Sequence, residues 1–222
     1  MDPLAKLLRP KKLEEVFGQE HILVHQQALL QKGSFILWGP PGCGKTTIAR
    51  IIGEQPGIRF FAISAVYDGV AELRKVFRQV EEVSLLTSTS ILFVDEIHRF
   101  NRGQQDALLS AIEEGLLRLI GATTENPSFS LNAALLSRTQ VLTLKPLDEE
   151  ALESLLKRAA DHIKRSLPLE ASAREKLLQL ADGDGRYLLN LAEILYDQPE
   201  ATTLNTEQML ELVRHRAPQY DR

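Results

Sequence analysis

The sequence predicts an α/β protein: a parallel five-stranded sheet with flanking helices, followed by a small all-helical domain. Three observations carry that prediction. Short apolar runs alternate with segments of helical periodicity over the first two thirds of the chain. A glycine-rich turn joins the first apolar run to the helical pattern that follows it. After Pro146 the strand-like runs cease and only helical patterns remain.

Ser34–Trp38 reads as a buried strand and Lys45–Ile52 as a helix. Ile58–Ile63, rich in Phe and Ile, is a second strand. Asp68–Glu82 places Val70, Leu73, Val76, Phe77 and Val80 at helical spacing. Ile91–Val94 is a third strand, and Gln104–Glu114 a helix with Ala107, Leu108, Ala111 and Ile112 on one side. Leu117–Ala122 and Val141–Leu144 are the fourth and fifth strands. Strands that alternate with helices form parallel sheets covered on both faces.

The remainder reads as helices over Asp148–His162, with Asp148 as N-cap, then Ala171–Ala181 and Tyr187–Tyr196 after a break at Gly183–Gly185. A last helix runs over Thr206–Arg214, with Thr206 as its cap. The expected division is residues 1–146 for the α/β domain and 147–222 for the helical one.

With 222 residues and 44% hydrophobic content, the chain can bury a sizeable core. Charged residues make up 25% and the net charge is −4, which excludes a strongly basic mantle. A phosphate-bearing partner must be met by local clusters. The single cysteine, Cys43, rules out an intrachain disulfide and a cysteine-based zinc framework. Met1–Pro10 lacks the apolar stretch of a secretory leader, and no apolar run approaches the roughly 20 residues that cross a bilayer. The expected location is cytoplasmic, with no membrane partner.

Gly39-Pro40-Pro41-Gly42-Cys43-Gly44-Lys45-Thr46 fits G-x-x-x-x-G-K-S/T between a strand and a helix. Glycines let backbone N–H groups turn inward around a phosphate, and the helix N-terminus adds its positive dipole end. In such a loop Lys45 reaches the β- and γ-phosphates and the Thr46 hydroxyl ligates Mg²⁺. Pro41, Gly42, Cys43, Gly44, Lys45, Thr46 and Thr47 form the expected cradle of a nucleoside triphosphate with Mg²⁺. Cys43 sits at a free position: a small filler is the plain reading, and a redox switch at a helix N-terminus the sharper one.

Ile91-Leu92-Phe93-Val94 ends in Asp95-Glu96. Ligands of α/β sheets bind beyond the carboxyl ends of strands. Asp95 is placed to hold Mg²⁺ and Glu96 to polarise an attacking water. A strand exit at Thr123-Thr124-Glu125-Asn126 offers polar groups to a γ-phosphate, Thr124 first and Asn126 second. Arg138, before the fifth strand, and Arg186, opening a helix, read by spacing alone as surface cations. Arg99 and Arg102 flank Phe100, a pattern that suits stacking on a base or simple packing of the ring. Lys6, Arg9, Lys11 and Lys12 form a short basic run that reads as a solvated face.

These motifs together resemble the AAA+ superfamily, in its clamp-loader branch. A longer set narrows the resemblance: Trp38 before the loop, Asp95-Glu96-Ile97-His98-Arg99-Phe100-Asn101, Gln104-Gln105-Asp106-Ala107, and Gly121-Ala122-Thr123-Thr124-Glu125-Asn126-Pro127-Ser128-Phe129. Those stretches are similar to the replication-associated recombination protein A family, related to the Werner-helicase-interacting ATPases. The resemblance implies a P-loop AAA+ sheet domain with a helical lid. It implies that Leu8-Arg9-Pro10 and Val16-Phe17-Gly18-Gln19 lie against the adenine, which makes Arg9, Pro10, Phe17, Gly18 and Gln19 nucleotide-binding. It implies Thr124 as sensor 1, Arg138 as an arginine finger serving a neighbouring subunit, and Arg186 as the sensor 2 arginine. Catalysis then falls to Glu96, Lys45 and Arg138.

The same resemblance implies a DNA-dependent ATPase acting on stalled replication forks, on forked or gapped DNA, alongside single-strand-binding protein in the nucleoid. A clamp-loader subunit or a Holliday-junction branch-migration motor would share every catalytic motif. The family continues past the helical lid into an oligomerisation domain, where this sequence ends at Asp221-Arg222. The expectation is a homo-oligomer for a full-length protein and a monomer with weaker activity for a piece ending here.

Overall fold

In a computed structural model of the chain, the described residues are 2–83, 89–199 and 202–216. The ending at Asp221-Arg222 lies outside them. In chain order the elements are α1 (Leu4–Leu7), α2 (Glu20–Leu23), α3 (Gln27–Lys32), β1 (Phe35–Trp38), α4 (Lys45–Gly53), β2 (Ile58–Ser64), α5 (Val70–Val83), β3 (Thr89–Asp95), α6 (Arg102–Glu113), β4 (Arg118–Thr123), α7 (Pro127–Ser130), α8 (Ala133–Arg138), β5 (Gln140–Thr143), α9 (Glu149–Ile163), α10 (Ala171–Ala181), α11 (Gly185–Tyr196) and α12 (Thr206–Arg216). Single 3-10 turns cover Leu13–Glu15 and Ile97–Arg99.

Two compact units hold these elements. A sheet unit comprises Lys11–Pro40 and Gly44–Lys145, and a helical unit comprises Met1–Pro10, Pro41–Cys43 and Pro146–Arg222.

In the sheet unit the strand order is β2-β3-β4-β1-β5, with every neighbouring pair parallel. The five expected strands are all present. Their apolar residues alternate between two buried faces. Ile36, Ile63, Leu92, Val94 and Leu119 pack with Leu73, Val76 and Val80 of α5, Leu108 and Ala111 of α6, and Leu135 of α8. Phe35, Leu37, Ile91 and Ile120 alternate with them and are also fully buried, as a sheet covered on both faces requires. Phe60 and Phe93 stack at 6.3 Å between centroids. Each fully buried aliphatic side chain contributes roughly 1.5–3 kcal/mol. An exposed ion pair such as Lys75–Glu72, at 3.0 Å, contributes about 0.2–1 kcal/mol, so the core dominates.

Two long-range clasps fix the strands around the glycine-rich loop. Arg118 at the start of β4 donates to the carbonyls of Leu30, Gln31 and Gly33, tying the entry to β1 against its neighbour. Burial holds its guanidinium below its ordinary pKa. The fully buried Gln19 donates from Nε2 to the Lys145 carbonyl at 2.8 Å and accepts from the Lys145 N–H at 3.1 Å.

In the helical unit, α9 is capped by Asp148, which accepts from Ala151 N–H at 2.9 Å. Leu152, Leu156, Leu177, Leu188, Leu191 and Leu195 are buried there. The starts of α6 and α11 and the cap of α12 differ from expectation, each because a side chain captures the first-turn amides. In the sheet unit α6 opens at Arg102, since Asn101 and Gln104 form a reciprocal capping box. In the helical unit α11 opens at Gly185, since Asp184 Oδ1 accepts from Tyr187 N–H at 2.8 Å; the break is left to Gly183. Asn205, not Thr206, caps α12, exchanging hydrogen bonds with Gln208 at 3.0 Å. Among the described residues no helix is long and apolar enough to cross a membrane.

Candidate active site

All strands run the same way, so the segments leaving β1, β3 and β4 emerge along one edge of the sheet. The glycine-rich loop follows β1, the acid pair ends β3, and the Thr123-Thr124 exit ends β4. Gly39 N–H donates to the Thr123 carbonyl at 3.2 Å, which joins the start of the loop to the end of β4.

Two positive φ angles shape the loop: +64° at Gly42 and +107° at Gly44. Gly44 is the N-cap of α4 and no side chain caps that helix. The first helical hydrogen bond here runs from Ile48 N–H to the Gly44 carbonyl at 2.9 Å, so the amides of Lys45, Thr46 and Thr47 lead the helix. Lys45 is 7% exposed, and its Nζ donates to the Gly39 and Pro40 carbonyls, both at 2.7 Å. An ammonium has three N–H groups, and a buried cation met by neutral carbonyls favours an anion beside it. Cys43 is 1% exposed. That burial withholds the access that a redox switch needs.

Within the helical unit, Gly42 lies against the start of α11. A Cβ on Gly42 would overlap Asp184 Oδ1, and the Gly185 N would stand 2.9 Å away. Arg186 is exposed at the second position of that helix.

Asp95 is the last residue of β3 and pairs with Ser64 of β2. Glu96 then adopts a left-handed conformation, φ +52°. For a residue with a side chain this costs about 1–2 kcal/mol. Such strain is characteristic of functional sites, and here it turns the chain from strand into the Ile97–Arg99 turn. Glu96 Oε2 stands 3.4 Å from Thr124 Oγ1 and 3.2 Å from His98 Nδ1. Asn126 Oδ1 caps α7 by accepting from Ser128 N–H at 3.0 Å. Of the two expected sensor groups, Thr124 is the one beside Glu96.

Arg138 ends α8, and its Nε pairs with Glu113 Oε1 of α6 at 3.0 Å; both side chains are about half exposed. Phe17 and Gly18 belong to the sheet unit, at the approach to α2, whereas Arg9 and Pro10 follow α1 in the helical unit. The Gln19 amide is spent on Lys145, so its side chain acts as a clasp. Base stacking by Phe100 is overturned: the ring is 3% exposed and packs with Ile97, Leu108 and Leu135.

Two polar residues escaped the sequence reading. His98 has a side chain 5% exposed, and its Nδ1 lies 2.9 Å from Thr123 Oγ1. Thr123 is fully buried, and its Oγ1 accepts from Glu125 N–H at 3.0 Å. A histidine two residues past the acid pair was the available signal, but nothing in its spacing points to a partner 25 residues away.

Comparison with known proteins places these features in context. Residues 35–147 match the family model described as the ATPase family associated with various cellular activities (AAA). The replication-associated recombination protein A of Coxiella burnetii is 49% identical over 88% of the chain and 46% of its own length. That of Haemophilus influenzae is 44% identical over 90% and 47%. The chain thus spans about half the length of the curated relatives it matches. Among solved structures, the Thermotoga maritima RuvB Holliday junction branch migration motor superposes with a TM-score of 0.74 at 28% identity, covering 94% of this chain and 72% of that one.

Proposed function

The chain belongs to the AAA family of ATPases, and from that premise we propose that it binds ATP with Mg²⁺ at the carboxyl edge of its sheet and hydrolyses it at contacts between subunits. The observation that carries the reading is the buried Lys45 ammonium, held by two loop carbonyls at the start of α4, which no side chain caps. The leading amides of α4 and the Lys45 ammonium bind the phosphates. The Thr46 hydroxyl and the Asp95 carboxylate are hard oxygen donors of the kind that Mg²⁺ takes, and they would hold it. When bound, the metal neutralises charge on the β- and γ-phosphate oxygens. Glu96 accepts the proton of the attacking water, and Thr124 orients the Glu96 carboxylate and meets the γ-phosphate. Arg138 acts across a subunit contact on a neighbour's γ-phosphate, and Arg186 acts from the helical unit on its own. Arg9, Pro10, Phe17, Gly18 and Gln19 line the adenine side, Gln19 through its backbone.

The names of the relatives speak of replication-associated recombination, and together with the family resemblance of the motifs they support a process: maintenance of stalled replication forks, through a DNA-dependent ATPase acting on forked or gapped DNA. It works as a homo-oligomer in the cytoplasm with replication proteins such as single-strand-binding protein. A second reading, a motor that migrates branched DNA, is favoured by the likeness to RuvB. The test measures ATP affinity, then phosphate release with and without forked DNA, with Lys45→Ala as control. Fork-stimulated turnover that Lys45→Ala abolishes supports the reading. A chain with no magnesium-dependent affinity for ATP sinks it. Migration of a four-way junction without fork stimulation favours the second reading instead.

A further inference from the structure

His98 has no assigned part in the reaction above. Its ring sits in the sheet unit between the exit of β3 and the exit of β4, with a side chain 5% exposed. Nδ1 lies 3.2 Å from Glu96 Oε2 and 2.9 Å from Thr123 Oγ1. Nε2 lies 3.4 Å from Glu125 Oε1. Both nitrogens therefore face a carboxylate, one on the strained residue that would polarise water and one on the loop carrying Thr124.

A neutral imidazole has one N–H, and only the imidazolium has two. With the proton on Nδ1, the ring donates to Thr123 Oγ1 at 2.9 Å, sets that N–H edge 3.2 Å from Glu96 Oε2, and presents a bare Nε2 to Glu125. With the proton on Nε2, it donates to Glu125, and Nδ1 can accept only from the Thr123 hydroxyl. That hydroxyl has a competing acceptor in the Glu125 carbonyl, 3.2 Å away. The bare Nδ1 then repels Glu96 Oε2, leaving Thr124 as its remaining donor at 3.4 Å. One ring thus stands between the Glu96 carboxylate and the Thr123–Asn126 loop.

We propose that His98 is a positioning residue for Glu96: it holds the carboxylate from Nδ1 and, through Nε2 and Glu125, ties that hold to the loop bearing Thr124. This rests on the assignment of Glu96 to water activation made above. His98 touches no reacting atom in this scheme; it sets where the carboxylate stands. Contact of the Thr124 loop with a γ-phosphate shifts Glu125, and the ring relays the shift to Glu96.

The test has two arms on the whole chain. In the first, ¹⁵N signals of the His98 ring are read without nucleotide in the wild type, Glu96→Gln and Glu125→Gln. Each substitution removes one carboxylate, so the proton balance moves toward Nε2 in Glu96→Gln and toward Nδ1 in Glu125→Gln. Ring signals indifferent to both changes overturn the proposal. In the second, ATP affinity and single-turnover hydrolysis are measured for His98→Ala, His98→Asn and His98→Gln. Asn places an amide donor near the Nδ1 position and Gln near that of Nε2. The expected result is unchanged affinity in all three. His98→Ala slows hydrolysis toward the roughly 10²-fold that misplacing a reacting group by 1 Å costs, and His98→Asn recovers more than His98→Gln. Wild-type turnover in His98→Ala, or equal rates in Asn and Gln variants that melt like the wild type, overturns the role. A wild-type chain that binds no ATP defeats the nucleotide reading instead, and the first arm still reports on the ring.

Discussion

Thr124 Oγ1 stands 3.4 Å from Glu96 Oε2, bringing the end of β4 to the carboxylate that follows β3. The two strands are hydrogen-bonded neighbours, with Val94 opposite Gly121. A hydroxyl that touches this carboxylate also lies along the edge where the amides of α4 open. Under the proposed mechanism, a change at the γ-phosphate reaches Glu96 through one side chain.

Glu96→Gln keeps the shape of the side chain but removes its basicity. Lys45 and the leading amides of α4 are untouched, so ATP affinity stays near that of the wild type. Hydrolysis falls by roughly 10²–10⁴-fold, the usual contribution of a positioned acid or base. Equilibrium binding of a fluorescent ATP analogue, paired with phosphate release, measures both. Wild-type turnover in the variant would remove Glu96 from the reaction.

Arg138 is half exposed and held by Glu113. An exposed pair of this kind is worth about 1 kcal/mol at most, so a neighbour's phosphate can take the arginine from it. Arg138→Ala is expected to bind ATP normally and lose turnover, by as much as the roughly 10³–10⁵-fold attributed to arginine fingers. In a mixed oligomer with Glu96→Gln, activity partly returns at those contacts where a site that keeps Glu96 meets a neighbour that keeps Arg138. No recovery in a verified mixture means that Arg138 does not act across the contact.

The glycine-rich loop and the acid pair were legible as patterns because each is a contiguous run: a turn of glycines, a lysine and a hydroxyl, or two carboxylates at a strand end. The five strands were legible because each is a short apolar run bounded by polar turns. What the sequence hides are pairings made by the fold. Gln19 and Lys145 are 126 residues apart, and no local pattern links them. The insertion of β1 between β4 and β5 is a tertiary choice of the same kind. Phe100 between two arginines is ambiguous on paper, and packing beneath α6 and α8 decides it. Thr124 and Asn126 are rivals on paper; the fold sets Thr124 Oγ1 beside Glu96 and spends Asn126 Oδ1 on the cap of α7.

The Gln19 clasp carries its own expectation. Gln19→Ala leaves the Lys145 N–H and carbonyl without this partner, at a cost of about 1–3 kcal/mol. The melting temperature falls by roughly 2–4 °C for each kcal/mol. Gln19→Glu should fare no better than Gln19→Ala, since a carboxylate oxygen would face the Lys145 carbonyl where the amide donated at 2.8 Å. Differential scanning calorimetry compares the three. Wild-type melting in Gln19→Ala would show that the clasp adds nothing to stability.

Gly42→Ala separates backbone conformation from contact. At φ +64° any side chain costs about 1–2 kcal/mol. The new Cβ also meets Asp184 Oδ1, the atom that accepts from Tyr187 N–H to cap α11. Displacing that cap costs about 0.5–2 kcal/mol more. Gly57 supplies the control: its φ is +81°, and a Cβ there meets nothing within 4 Å. Gly57→Ala therefore carries only the conformational cost. The expected order of melting temperatures is wild type, then Gly57→Ala, then Gly42→Ala, with weakened ATP binding in Gly42→Ala alone. Equal melting of the two variants would mean that the Asp184 contact has no weight, and that Gly42 is required only for the turn it makes.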